Sequence, residues 1–590
     1  MQKHTFLGRF LIWRIKHISN TQFIYFLSII VGLATGLSAV IIKNTVHLIQ
    51  LLLTFKFANE YQNYLYFAYP MAGILITILI IKYLIKHPIN HGIPSVLHAI
   101  SKRNGVIRRN NIYSSAITSS VTVGFGGSVG LEGPTIATGA AIGSNLGRLV
   151  HLDYKQIILL IACGCAGALS SLFNAPIAAI VFALEVIMID LTMSSLIPLL
   201  VASATAALTS YFFLGQDVLY SVEIKDKFIF TDFPFYILLG VFGGFISLYF
   251  SKTYFYINGF FAKIKKKYLK VLIGGTILGL LIFIMPSLFG EGYNSINSCL
   301  SGDFSYLFNH SLYYSYHNSR IAMIIIFISL VFFKAIATSI TFGSGGVGGI
   351  FAPTLFIGAN TGFLFAFLLN YFGLNVSVNN FALVGMAALI SGVIHAPLTA
   401  IFLIAELTKG YELFLPLMIT STISYATIRL FEKNSVYTKE LAQRGELITH
   451  DKDKAVLSFM KVENQIESNF LTINPDASLR DLVSLISKST RNIYPVVDTE
   501  NNFLGIVFLD HIRHIMFNQE LYDITFVRDL MFNPTVVVYP HDTMEDVAQK
   551  FQDTGNFNLP VIENGKYLGF VSRAHVFSSY RRLLKNFSEE

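Results

Sequence analysis

Charge is scarce in this sequence. Asp, Glu, Lys and Arg make up 13% of its 590 residues, about half the share of a soluble globular chain. That shortage excludes an ordinary soluble protein. The apolar runs say why: residues 23–53 hold one charge, Lys43, and residues 67–81, 157–184 and 322–333 hold none. A helix crosses a bilayer with about 20 mostly apolar residues, so the chain reads as a polytopic membrane protein. Cysteine is scarce too. Cys163, Cys165 and Cys299 are too few for a disulfide framework, and the first two lie in "IACGCAGALSS", whose small residues suit close helix packing rather than metal binding. No nucleophile–base or metal-ligand spacing occurs among the scattered His and Asp residues, so an enzyme and a metal centre are not expected. The first residues, "MQKHTFLGRFLIWRIKH", lack a cleavable signal pattern.

The net charge of +8 is unevenly placed. Arg9, Arg14 and Lys16, then Lys102, Arg103, Arg108 and Arg109, then Lys263, Lys265, Lys266, Lys267 and Lys270 form basic stretches. The positive-inside rule puts them, and both termini, in the cytoplasm. No nucleic-acid partner is needed to explain them. Segments 215–234 and 290–319, with Asp217, Glu223, Asp226, Asp232, Glu291 and Asp303, read as external.

Composition shifts near residue 432. The reading is a cytoplasmic amphipathic segment at 1–20, a membrane domain at 21–445 and a soluble domain at 446–590. The membrane region repeats itself. "PTIATGAAIG" from Pro134 and "PTLFIGANTG" from Pro353 share five of ten positions, 219 apart; "APIAAIVFALE" from Ala175 and "APLTAIFLIAE" from Ala396 are 221 apart. Gly/Pro-interrupted segments at matching places in two halves point to a transporter binding site; whether the halves are inverted is not given by the sequence. The soluble region repeats as well. Ser478-x-x-Asp481 and Thr543-x-x-Asp546 are helix-capping patterns, each followed by a helix and a strand pair, "YPVVDTENNFLGIV" and "LPVIENGKYLGFV", with Pro495 and Pro560 65 apart.

Three glycine-rich breaks precede apolar helical runs: "NHGIP" at 90–94, "GSVGLEGP" at 127–134 and "GSGGVGGIFAP" at 343–353. Helix starts carry unpaired N–H groups and partial positive charge, and bind anions without a fixed cation. Broken backbone at membrane depth is tolerated where it lines a cavity or is buried in protein. The breaks hold no Lys or Arg, which favours passage over tight storage. Glu132 is then the conspicuous residue, an intramembrane carboxylate able to occupy the seat an anion would use.

These motifs, in this order, resemble the CLC chloride channels and chloride/proton exchangers, over essentially the whole chain. "GLEGP" is similar to the family's gating motif, "NHGIP" and "GGIFAP" to its selectivity motifs, "SVYTKEL" at 435–441 to the stretch with its pore tyrosine, and the C-terminal repeats, at about 462–518 and 526–586, to a CBS pair. The resemblance implies an all-α membrane domain of two repeated halves with broken and re-entrant helices, plus an α/β tandem CBS domain. It implies a homodimer in the cell membrane with one anion path per subunit, and chloride as the transported ligand. It assigns Glu132 as the gate and His91, Gly92, Ile93, Gly130, Ile350, Phe351 and Tyr437 as the anion's neighbours.

Three departures stand out. His91 replaces the serine of the family's usual Gly-Ser-Gly-Ile-Pro; either its imidazole faces the ion or it turns away and leaves the backbone to serve. The inner proton-relay position of many exchangers is Val186, preceded by Glu185, which most members share. A valine relays no proton, so a channel is the first reading and a chloride/proton antiporter the alternative. In the CBS pair, the phosphate- and ribose-holding positions are Phe508 and His511 after Gly505, and Ser572 and His575 after Gly569. Only Ser572 fits, so an adenine nucleotide has one candidate contact and a structural or dimerising role is preferred. A membrane sensor with no ion path is a third reading, and the unfilled glycine-rich helix starts argue against it.

Overall fold

A computed structural model describes residues 13–53, 62–87, 92–187, 193–215, 226, 228–301, 319–443, 457 and 460–588. The chain divides into two units, Met1–Leu447 and Ile448–Glu590. The first is helical: α1 (Asn20–Leu53), α2 (Gln62–Leu79, continued by a π-turn), α3 (Gly92–Lys102), α4 (Asn111–Gly124), α5 (Glu132–Leu149), α6 (Tyr154–Phe173), α7 (Pro176–Val186), α8 (Met193–Leu214), α9 (Phe233–Lys263), α10 (Lys267–Ile284), α11 (Tyr293–Ser301), α12 (Arg320–Ser344), α13 (Phe351–Tyr371), α14 (Val378–Ile394), α15 (Pro397–Leu407), α16 (Phe414–Arg429) and α17 (Lys439–Gln443). Among the described residues, eight helical stretches are long and apolar enough to cross a membrane, while α7, α14 and α15 are apolar but shorter. Short apolar helices are stable at that depth only when the rest of the protein covers their ends.

The sequence repeat is a structural repeat, α4–α7 against α12–α15. Both copies enter their break the same way. Gly126 and Gly345, 219 apart, take φ of +91° and +107°, the left-handed turn that lets the chain leave a helix and start another at once. Each copy then packs its first long helix on its second through glycines. Gly139 meets the Gly164 carbonyl and Gly143 the Leu160 carbonyl between α5 and α6; Gly358 meets that of Gly385 and Gly362 that of Phe381 between α13 and α14. In lipid, helices gain little from the hydrophobic effect, so backbone approach over small residues supplies the packing.

The copies also hold each other. Gly130 and Gly349 form an antiparallel bridge, N–H to carbonyl at 2.8 and 2.7 Å in the two directions. The Thr341 hydroxyl accepts from Ser128 N–H at 3.2 Å and, 219 residues away in both partners, the Thr122 hydroxyl accepts from Val347 N–H at 3.1 Å. Glu185, at the end of α7, accepts from the N–H groups of Leu398 and Thr399 at 3.1 and 2.8 Å, closing the start of α15. Glu406, at the end of α15, accepts from Ile177 and Ala178 at 3.0 and 2.7 Å, closing the start of α7. Equivalent residues thus exchange equivalent bonds. The two segments run antiparallel where they meet at Gly130 and Gly349.

The second unit follows its expected pattern twice: α18 (Leu479–Lys488), β1 (Ile493–Val497) and β2 (Phe503–Phe508), then α19 (Met544–Thr554), β3 (Asn558–Glu563) and β4 (Lys566–Ser572), ending in α20 (Arg573–Ser588). Ser478 and Asp481 form the reciprocal capping box, and Thr543 caps α19 through Asp546 N–H. Each antiparallel hairpin has a bulge, after Val496 and after Val561. Each takes a parallel bridge from the preceding segment, Ile473 to Val496 and Val538 to Val561. The inward alternation buries Leu479, Leu482, Tyr494, Val496 and Val507 in one repeat, and Met544, Val547, Leu559, Val561 and Val571 in the other.

Candidate functional site

The site is built from helix starts. Glu132 is the first residue of α5 and Phe351 that of α13, and the Gly130–Gly349 bridge brings the two starts together. The start of α3 joins them. Gly92 has φ +42°, and a Cβ there would sit 3.3 Å from the backbone of Gly133. The starts of α3, α5 and α13 therefore converge, as the anion-site reading requires.

Glu132 is buried, 1% exposed. Its Oε1 accepts a hydrogen bond from the Tyr293 hydroxyl at 2.6 Å. Its Oε2 has no hydrogen-bond partner of good geometry, although the amides of Glu132 and Ala352 turn toward it. It lies over Gly130 and Gly349, where a Cβ on Gly130 would collide with it. The carboxylate thus sits against the amides of two opposed helix starts. Ile350 is the residue before α13, and Phe351 is fully buried with its ring 5.4 Å from that of Phe173. Ile93 is buried in the first turn of α3. Tyr437 lies between α16 and α17, 5% exposed, its hydroxyl buried and without a hydrogen-bond partner; Glu132 is among the groups that face it. A buried phenol with an unspent donor suits an anion. His91 lies outside the described residues.

Val186 ends α7 and is buried. Glu185 beside it is committed to the start of α15, where the Thr399 hydroxyl adds a third bond at 2.7 Å.

Sequence reasoning missed four residues around the gate. Glu291 was expected in an external segment as a plain loop acid. It is partly buried, and its Oε1 accepts from Leu131 N–H at 3.2 Å, next to Glu132. Tyr293, two residues on, holds the gate carboxylate. Lys334, fully buried on α12, donates to the Gly290 and Leu288 carbonyls at 2.8 and 3.4 Å and faces Glu291. Lys43 on α1 donates to the Leu172 carbonyl at 2.9 Å and faces Glu291 and Glu132. The breaks contain no cation, but two lysines from other helices stand near them. The signals were faint: an acid between two glycines in "FGEGY", and single lysines bounding or interrupting apolar runs.

The profile of the family described as voltage gated chloride channel matches residues 72–429. The chain belongs to that family. Two CBS domains match at 463–518 and 527–582. A putative chloride channel protein, ClcB-like, of Ralstonia nicotianae is 31% identical over 64% of this chain and 85% of its own length. The H(+)/Cl(-) exchange transporter ClcA of Vibrio cholerae is 28% identical over 71% and 89%. Among solved structures, a slow cyanobacterial Cl-/H+ antiporter superposes with a TM-score of 0.62 at 23% identity, over 72% of this chain and 99% of its own. Family membership makes this CLC protein a multi-pass membrane protein of anion transport, with an all-α transport domain and a CBS pair.

In the CBS pair, Ser572 is already engaged. Its hydroxyl donates to Glu467 Oε1 at 2.5 Å and accepts from His575 N–H at 3.1 Å, capping α20. A nucleotide would have to displace Glu467 to reach it. Burial pushes the Glu467 carboxyl up, but the Ser572 hydroxyl and the Arg491 guanidinium, 2.8 Å away, hold it below the usual glutamate range. A lowered folded-state value adds stability that is fully present above the unfolded value of about 4.3 and is lost as pH falls through the folded one. Glu467→Gln should therefore weaken the CBS pair by about 1 kcal/mol at neutral pH. The gap from the parent should close as the medium is acidified below the glutamate range. Hydrogen exchange of the full-length protein at the β4–α20 junction reads this; an equal gap at both pH values would refute it.

Proposed function

We propose that this CLC protein exchanges chloride for protons, with Glu132 as the group that both gates the anion path and carries the proton. The observation that carries the reading is the seat of Glu132: a buried carboxylate placed against the amides of opposed helix starts, where a permeating anion would rest. An ionised carboxylate and an anion compete for such a seat, while a protonated one gives it up. This competition couples the two ions. The Vibrio cholerae relative, named as an exchange transporter, supports the same reading. Chloride would be served by the helix starts at Gly92, Ile93, Gly130, Ile350 and Phe351, and by the Tyr437 hydroxyl.

One observation favours the channel reading that the sequence suggested first. Val186 offers no proton relay, and the Glu185 carboxylate is spent on capping α15. In an exchanger of this build the inner proton route would not use a carboxylate at this corner. We take the assembly to be a homodimer with its own path in each copy; Ile177 and Leu398, apolar and exposed on α7 and α15, offer it an apolar face. The CBS pair and both termini would then be cytoplasmic, with the pair regulatory.

The test is a chloride gradient across liposomes that contain the purified protein and a pH dye. Exchange predicts proton movement against its own gradient, driven by chloride. A reversal potential at the chloride Nernst value with no proton movement would establish the channel instead.

A further inference from the structure

Residues 289–293, "FGEGY", lead from the turn Pro286–Leu288 into α11. They are held from several sides. Gly290 N–H donates to the Gly126 carbonyl at 3.3 Å, Lys334 binds the Gly290 carbonyl at 2.8 Å, and the Ser128 hydroxyl binds the Leu288 carbonyl at 2.8 Å. Gly290 and Gly292 take φ of +59° and +89°, so the segment doubles back and directs two side chains to one place. Glu291 reaches Leu131 N–H and Tyr293 reaches Glu132 Oε1. The twin of Glu132 in the other half is Phe351, which offers no carboxylate to clasp.

We propose that Tyr293 is a positioning residue for the gate, a latch whose hydroxyl holds the ionised Glu132 carboxylate in its seat and must let go before the anion path opens. This rests on the reading of Glu132 as the gate. A phenol is well suited to the task. A hydroxyl on a carboxylate at 2.6 Å belongs to the short, charge-assisted class of hydrogen bonds. It supplies a single proton and no fixed charge, so one bond is made and one is broken, and an arriving chloride meets no permanent cation there. The bond is lost or reversed in sense once the carboxyl is protonated, which ties release of the latch to acid. The other titratable groups facing Glu132 are Glu291 beside Leu131, Lys43 from α1 and Tyr437 ahead of α17, with Lys334 of α12 behind Glu291.

The experiment compares the full-length protein with Tyr293→Phe, Glu132→Gln and the double variant in liposomes and in detergent. Tyr293→Phe removes one oxygen. Acid opens the gate, so losing a bond to the ionised form should move the pH of half-maximal chloride flux upward by about one unit, the tenfold change that one charge-assisted bond corresponds to. Chloride affinity at neutral pH should rise about tenfold in calorimetry, because the carboxylate competes less well for the seat. In the Glu132→Gln background, where flux is flat with pH, Tyr293→Phe should neither create a pH midpoint nor change the chloride affinity. Site-specific difluorotyrosine at position 293 keeps the side chain's shape and strengthens the donor, so it should move the half-maximal pH the other way.

Each other outcome overturns something definite. If Tyr293→Phe leaves midpoint and affinity unchanged while Glu132→Gln abolishes pH dependence, the latch is wrong and the gate stands. If Tyr293→Phe acts equally with and without the Glu132 carboxylate, its role is structural and the latch is wrong. If Glu132→Gln keeps the pH dependence, the gate reading fails and the latch with it. A difluorotyrosine shift that is absent or upward also refutes the latch, even where Tyr293→Phe does not assemble.

Discussion

Glu132→Gln is expected to stop chloride-driven proton movement, by about 100-fold or more, while chloride continues to flow. The amide is nearly isosteric with the carboxylate, so the helix starts and the Gly130–Gly349 bridge should be undisturbed. It carries no titratable proton and no charge, so it neither ferries a proton nor competes with chloride for the seat. Flux should become flat with pH, since the group that closes the path on deprotonation is gone. Dye-loaded liposomes and a chloride electrode report the two ions separately. Proton movement that survives the substitution would remove Glu132 from the proton route. Flux that stays pH-dependent in a well-assembled variant would remove it as the gate.

Gly358→Val should be strongly damaging although it lies away from the site. A Cβ at Gly358 would lie 2.6 Å from the Gly385 carbonyl oxygen and 2.6 Å from the Met386 Cα. Both are backbone atoms, so relief requires that α13 and α14 separate. Overpacking of a tight core costs about 1–3 kcal/mol even where side chains give way, and here no side chain is available to move, so about 3 kcal/mol or more is expected. The start of α13 carries Ile350 and Phe351, so displacement would also reach the anion site. The variant should be recovered at low yield, with a melting midpoint well below the parent's in detergent. A monodisperse variant that melts with the parent would mean that α13 and α14 do not cross as closely as described. Gly139 holds the same place between α5 and α6, and Gly139→Val should fail in the same manner.

Both positions were visible in the sequence as part of a repeat, yet their role was not. Long apolar runs announce spans because hydrophobicity is a local property, and glycine breaks announce re-entrant helices because few other residues turn so sharply. The convergence of the helix starts at Gly92, Glu132 and Phe351 could be anticipated for that reason, as could the CBS repeats, whose capping residues and strand pairs are local patterns. Long-range placement was not legible. Tyr293 and Glu291 lie about 160 residues from Glu132 and carry no motif. Glu291 resembled any acid of an exterior loop until the turns at Gly290 and Gly292 directed it inward. Lys334 borders an apolar run, where a lysine is ordinarily a flanking charge that reaches toward water; full burial beside backbone carbonyls follows only from the packing of α12. Glu185 stands in the sequence only as the neighbour of Val186; its actual employment, closing α15, required the fold.

That exchange of caps has an implication for descent. When residue i of one unit binds residue j of another while j binds i in return, the contact is isologous, the kind made by two identical chains around a two-fold axis. A polypeptide of one repeat, meeting a copy of itself, would find ready partners for Thr122, Gly130 and Glu185 alike. Such an ancestor would have had to carry the same residue at both breaks. A single chain is free of that constraint, and its two breaks differ: Glu132 on one side, Phe351 on the other. Fusion thus permits what a symmetric pair cannot have, a single ionisable door in a passage framed by two matching walls.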